Sequence, residues 1–228
     1  MKQLVTPAII LSRTDYGEAD RILTMLTPEY GKVTLIAKGV RRIKSKLAGG
    51  IELFSVSEIT FIKGRGGVGT LVSTRLTKHY SRVVGELDRT MLGYDIIKRL
   101  HKATEDEPEP AYFQLLQQAF EALDNTQIPL EIIKVWFFTQ LLQLGGHTPN
   151  LRLDSQGRPL ASDQRYEFSF DSMAFTTSPD YGHFNASHIK LLRLCFGGNT
   201  PHVLSRIESS EELASQLLPL VQSLQTRN

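Results

Sequence analysis

The chain has a single cysteine, Cys195, in 228 residues. A lone thiol excludes an intrachain disulfide framework and a cysteine-built zinc site, and it fits a reducing compartment. No run of 18 apolar residues occurs, so no membrane-spanning helix is expected. The apolar part of Met1–Pro7 is too short for a signal peptide, and a cytoplasmic location is expected. Walker A, H-E-x-x-H and G-x-S-x-G sequences are all missing, as are internal repeats and low-complexity tracts. Nothing here argues for an enzyme, a cofactor or a resident metal. A hydrophobic content of 41% with 22% charged residues is ordinary for a globular protein with a sizeable core.

Negative charge is scarce in the first third of the chain. The net charge is only +2, but residues 1–80 hold 13 Lys and Arg against 6 Asp and Glu, while residues 81–228 hold 13 against 18. A basic head on an acidic body suggests that one part meets a polyanion. The head's charge peaks at Lys38-Gly39-Val40-Arg41-Arg42-Ile43-Lys44-Ser45-Lys46, five cations in nine residues, with no carboxylate between Glu29 and Glu52. Such a cluster belongs in solvent or against a polyanion, because burying unpaired charge is costly. By itself it is a solvated loop as readily as a binding site. Its flanks, Val33–Ala37 and Leu53–Val56, read as strands, so the cations sit on a connection held by a sheet. That is how a protein tracks a phosphate backbone.

Residues 7–80 read as β. Ala8–Leu11, Arg21–Leu26, Lys32–Ala37, Phe54–Lys63 and Thr70–Tyr80 are short strand runs divided by turns. Five short strands in so few residues fit a closed barrel of the oligonucleotide-binding kind. Beyond residue 81 the period becomes helical. Val83, Val84, Leu87, Met91, Leu92, Tyr94, Ile96, Ile97 and Leu100 recur at helical spacing, Tyr112–Leu123 is amphipathic, and Leu130–Leu144 is apolar on nearly every face, as in a helix central to a bundle. Residues 147–184 are irregular, with strand-like pieces such as Tyr166–Phe170. Residues 187–196 and a last segment starting at Ser209 are helical. The expected division is a barrel over 1–80 and a helical domain over 81–228, an α+β organisation.

Gly64-Arg65-Gly66-Gly67-Val68-Gly69 matches G-x-G-x-x-G by letter, but a β-branched strand follows where the dinucleotide fold needs a helix. It reads as a hairpin loop, with Arg65 an added phosphate contact. Tyr16 and Tyr30 lie in turns where a base could stack; Phe54 and Phe61 read as core. A His183/His188 metal pair is conceivable, but histidines beside a helix start are more often structural. Cys195 reads as inert core.

Ile9–Leu11, Asp15–Arg21, Thr27–Lys32, Ala37–Arg42 and Gly50–Phe54 together resemble the N-terminal domain of the RecO family, bacterial recombination mediators. The likeness continues into Leu141–Gly146. It implies an oligonucleotide-binding barrel followed by a helical domain, binding of single- and double-stranded DNA, and annealing of complementary strands. It also implies partnership with RecR and the single-strand-binding protein so that RecA is loaded, in the cytoplasm at the nucleoid. Lys38, Arg41 and Arg42 fall on the family's basic signature; Lys44, Lys46 and Arg65 extend it by charge. Lys134 stands where the family pattern offers a cation for the acidic, apolar-ended tail of the single-strand-binding protein. Lys98, Arg99 and Lys102 are weaker candidates for that tail, and a snorkelling stem is the plainer reading of Lys134. Many members of the family carry two C-x-x-C pairs that hold zinc. Here Arg152–Pro159 and Ala174–Pro179 occupy those places without cysteine. The degenerate zinc-finger-like module, residues 147–184, is expected to stand without metal on Tyr166, Phe168, Phe170, Met173 and Phe175. The competing reading of the whole chain is an interaction adaptor, whose barrel docks an acidic protein surface instead of DNA.

Overall fold

The structure, a computed structural model, describes residues 2–64, 66–105 and 107–227. Five strands, β1 (Leu4–Tyr16), β2 (Asp20–Thr27), β3 (Gly31–Ala37), β4 (Ser55–Ile62) and β5 (Val68–His79), close a barrel in the order β1-β2-β3-β5-β4. Neighbours pair antiparallel except β3 and β5, which meet in parallel over Thr34–Ile36 and Val68–Thr70. Alternation along each strand sends Ala8, Ile10, Leu23, Met25, Leu35, Ala37, Ile59, Phe61 and Leu71 into one buried core. The five strand runs and their closure are therefore as expected.

Among the described residues six α-helices follow: α1 (Leu87–Ala103), α2 (Pro110–Asp124), α3 (Leu130–Leu144), α4 (Ala186–Phe196), the short α5 (Pro201–Leu204) and α6 (Ser210–Arg227). Packing divides the chain into two compact units, residues 1–125 and 126–228, so α1 and α2 belong with the barrel. The joint is aromatic. Phe54, fully buried just before β4, lies edge-on to Tyr94 of α1 and Phe120 of α2, each at 5.4 Å, and Tyr80 meets Phe120 at 5.6 Å. Phe54 takes a φ of 53°, uncommon for an aromatic residue. A Cβ on Gly93 of α1 would lie 2.5 Å from its ring, so the close approach requires glycine there. Polar groups fasten the same joint. Lys32 Nζ donates to the carbonyls of Thr104 and His101 at the C-terminal end of α1, and buried Arg89 donates to Glu86 and to the carbonyl of Leu123 at the end of α2. A cation there satisfies carbonyls that the helix leaves open.

The helical period of α1 divides into two faces. Leu92, Ile96, Ile97 and Leu100 are buried, whereas Leu87, Met91 and Tyr94 are exposed. Spacing alone does not say which apolar stripe meets the core.

In the second unit α3 is buried on almost every side, as its composition predicts. Gln140 and Gln225 donate to the carbonyls of Cys195 and Phe138, tying α3 to α4 and α6. The irregular segment is built on a two-stranded sheet, β6 (Tyr166–Ser169) with β7 (Ala174–Thr177). No helix of the described residues is long and apolar enough to cross a membrane.

Candidate nucleic-acid interface

The basic stretch leaves β3 at Ala37 and returns to β4 at Ser55. Both ends are anchored. Val40 is buried in the barrel core, and so is Ile51 on the return side, with Leu47, Ala48 and Leu53 packed against the same cluster. Gly39, with φ of 64°, lets the chain turn, and its N–H donates to Asp20 at 2.7 Å. Thr74 of β5 donates to the carbonyl of Leu47, and a Cβ on Gly50 would lie 2.3 Å from the Thr74 hydroxyl, so only glycine permits this seat. Arg13 of β1 donates to the Ile51 carbonyl and pairs with Glu52 at 3.2 Å. A flexible-looking run is thus pinned at both ends, with its middle in water.

In that middle Lys38, Arg41, Arg42, Lys44 and Lys46 are all exposed, and Ile43 stands free among them at 104% relative exposure. No ion pair among the described residues engages Lys38, Arg42, Lys44 or Lys46. Arg41 differs. Its Nε lies 3.4 Å from Asp15, whose other oxygen accepts from Arg21 at 2.8 Å, and its guanidinium reaches the Gly17 carbonyl. The hydrogen bond from Arg21, together with the charges of Arg41 and Arg13, holds the Asp15 carboxyl below its usual range. The gap in carboxylates between Glu29 and Glu52 does not therefore leave the whole stretch uncompensated: the β1–β2 hairpin brings Asp15 and Asp20 to it across the sheet. No local signal in the sequence carries that pairing.

Arg65 lies outside the described residues. Tyr16 is exposed at the end of β1. Tyr30 is half-buried, edge-on to Phe61 at 5.5 Å with Lys63 over its ring, so its face is already occupied. Phe54 and Phe61 are core, as expected. The glycine-rich loop runs directly into β5, a strand rather than the helix that a dinucleotide site needs. Lys134, on α3, is half-buried with Nζ 3.7 Å from Glu131, as a stem running along the helix would be.

The cysteine-free segments Arg152–Pro159 and Ala174–Pro179 are held by hydrogen bonds. Asp154, its side chain 3% exposed, accepts from the backbone N–H groups of Gln156 and Arg158 and from the Arg158 guanidinium, whose two nitrogens each approach to 2.9 Å. Those bonds, the Arg158 N–H foremost, hold its carboxyl below the ordinary value of 3.8. Asn150 accepts from the N–H groups of Arg152 and Leu153, and the N–H of Ser155 donates to the Phe175 carbonyl on β7. Behind this clasp Tyr166 and Phe175 are buried, and Phe168 and Phe184 lie edge-on to Phe175. Phe170 and Met173 are only half-buried. Among the described residues no group of three or more His, Cys, Asp or Glu is placed to hold a metal. An arginine paired into the turn does not fit one either. His188 is buried as part of a capping box with Asn185 and bonds Gln216 at 2.6 Å, while His183 pairs with Glu167. The turn-forming types of Asn150 and Asp154 are the one signal in the sequence that marks the clasp.

Two family models cover most of the chain: "Recombination protein O N terminal" matches residues 1–80 and "Recombination protein O C terminal" matches residues 96–227. Among curated relatives, the DNA repair protein RecO of Dehalococcoides mccartyi is 36% identical over 148 residues, 64% of this chain and 58% of that protein. The DNA repair protein RecO of Desulfatibacillum aliphaticivorans is 30% identical over 154 residues, 66% of this chain and 60% of that protein. That of Listeria welshimeri is 30% identical over 138 residues, 60% and 54% of the two chains. The chain thus spans a little over half the length of the curated relatives it matches. With both family models matched in order, a closed five-stranded barrel under the first and helices under the second, the chain belongs to the RecO family.

Proposed function

We propose that this chain binds single- and double-stranded DNA through the connection between β3 and β4 and anneals complementary strands. In that role it works in recombinational repair with RecR and the single-strand-binding protein to load RecA, in the cytoplasm at the nucleoid. The observation that carries the reading is the group Lys38, Arg42, Lys44 and Lys46: exposed, without ion pairs among the described residues, and mounted on an anchored loop. Cations without protein partners gain most from phosphate, because each such pairing releases a condensed counterion. Two strands neutralised on one surface repel each other less, so pairing proceeds without nucleotide hydrolysis and the chain needs no catalytic group. Lys134 is the residue proposed to meet the acidic tail of the single-strand-binding protein, and Arg65 is proposed as a further phosphate contact.

The test is annealing of two complementary oligonucleotides, bare and coated with single-strand-binding protein, by the natural chain and by an Arg42→Ala/Lys44→Ala/Lys46→Ala variant. Slower annealing on both substrates by the variant is the expected result. Unchanged annealing removes the loop from the mechanism. Failure of the natural chain to shift a labelled oligonucleotide, with retained binding to an acidic protein surface, returns the adaptor reading.

A further inference from the structure

The exposed face of α1 has no role in DNA binding as proposed above. Leu87 is 75% exposed, Met91 60% and Tyr94 47%, and Val84, in the turn just before the helix, is 57% exposed. Residues 87, 91, 94 and 98 fall within about 60° of one another around an α-helix, so the three apolar side chains and Lys98 form one stripe. Lys102 continues it one turn later. Lys98 and Lys102 are exposed, and neither enters an ion pair among the described residues. The flanking charges Asp95 and Arg99 are paired with each other at 2.7 Å. Single exposed apolar residues are ordinary, but three in one stripe on a firmly held helix, with Val84 just before it, mark a contact surface. The helix beneath is held firmly: Leu92, Ile96, Ile97 and Leu100 are buried on its other side, and Lys32 and Thr104 close its end.

We infer that this face is a docking surface for an amphipathic helix of a partner protein, apolar along one half and carboxylate-bearing along the other. The stripe from Leu87 to Lys102 is about 22 Å long, four turns of a helix, so an occupant of the same length is matched along its axis. Its two halves differ in chemistry, and lysines without a carboxylate of their own call for one from the occupant, which also fixes the direction in which it lies. DNA is the poorer fit, because Glu86, Asp88 and Asp95 border the apolar half. A membrane is also the poorer fit, since a lipid-binding face carries its cations along both flanks of the apolar stripe. The cavity of about 850 Å³ beside α6 is less open to a partner: Glu167 is paired with His183, and His188 with Gln216.

The test uses the full chain and a fluorescein-labelled helical peptide with leucines at helical spacing in one half and glutamates in the other. A second peptide carries lysine for glutamate. Fluorescence anisotropy is expected to show binding of the glutamate peptide and a loss of about tenfold in affinity on Leu87→Glu or Met91→Glu, as for a central interface residue. Both sites are exposed, so circular dichroism should remain native. Lys98→Glu/Lys102→Glu is expected to reverse the preference between the peptides. Equal affinity for both peptides, or binding indifferent to Leu87→Glu, overturns the inference. So does a dimer in sedimentation velocity that Leu87→Glu dissociates, since the occupant is then a second copy. Binding to phosphatidylserine vesicles that the same substitution abolishes overturns it in favour of a membrane. Annealing activity reads the DNA proposal separately and is expected to survive Leu87→Glu.

Discussion

Arg41 and Arg42 are adjacent in sequence but differ in environment. Arg41 is already paired with Asp15, while Arg42 faces water. The two should separate in a salt titration of DNA affinity. Removing one cation from a phosphate lowers the slope of log K against log salt by about one. Arg42→Ala/Lys44→Ala is therefore expected to flatten it by about two. Arg41→Ala should change it by less, since freeing Asp15 places a carboxylate beside the loop. Gly93 offers a second residue-scale check. Its absent side chain is the space that the Phe54 ring occupies. Gly93→Ala improves helix propensity by about 1 kcal/mol but forces a buried ring to move, an overpacking cost of about 1–3 kcal/mol. A lower thermal midpoint, not a higher one, is expected.

At the scale of elements, the segment around Asp154 shows how a turn is held by hydrogen bonds. A buried carboxylate gathers the turn, and an aromatic stack fills the space behind it. Asp154 is held below its ordinary pKa, so its contribution to stability is complete above about pH 4 and is lost as pH falls through the depressed value. Asp154→Asn is expected to melt at lower temperature than the natural chain at pH 7, and the gap should narrow as the pH falls below about 4. The elements themselves are mostly legible in the sequence. Alternating Val, Ile, Leu and Thr spell the five strands, and the all-apolar run of α3 spells a central helix, because both periodicities are local. What stays hidden is long-range. The Asp15–Arg41 pair joins the end of β1 to the β3–β4 connection, the clasp at Asp154 is marked in the sequence only by the turn-forming types of Asn150 and Asp154, and the apolar residues of α1 divide into a buried and an exposed stripe only once the barrel chooses a side.

At the scale of the whole molecule, the helical period begins at residue 81, but the first packing unit runs to residue 125. Phe54 and Tyr80 rest on α1 and α2, so a fragment ending at residue 80 uncovers two buried aromatic rings. Residues 1–125 are expected to give a soluble fragment with one cooperative melting transition and retained DNA binding. Residues 1–80 should bind a hydrophobic dye and aggregate. Measuring both fragments tests whether the barrel stands by itself.

Cys195 is 1% exposed in α4, and burial pushes its thiol up to about 12. Peroxide and disulfide reagents attack thiolates, and this molecule offers essentially none at neutral pH. A fold clasped by a carboxylate and an arginine, with its one sulfhydryl sealed away, should hold its shape through oxidative stress. Treatment with hydrogen peroxide or diamide is expected to leave its melting curve and its annealing rate where they were.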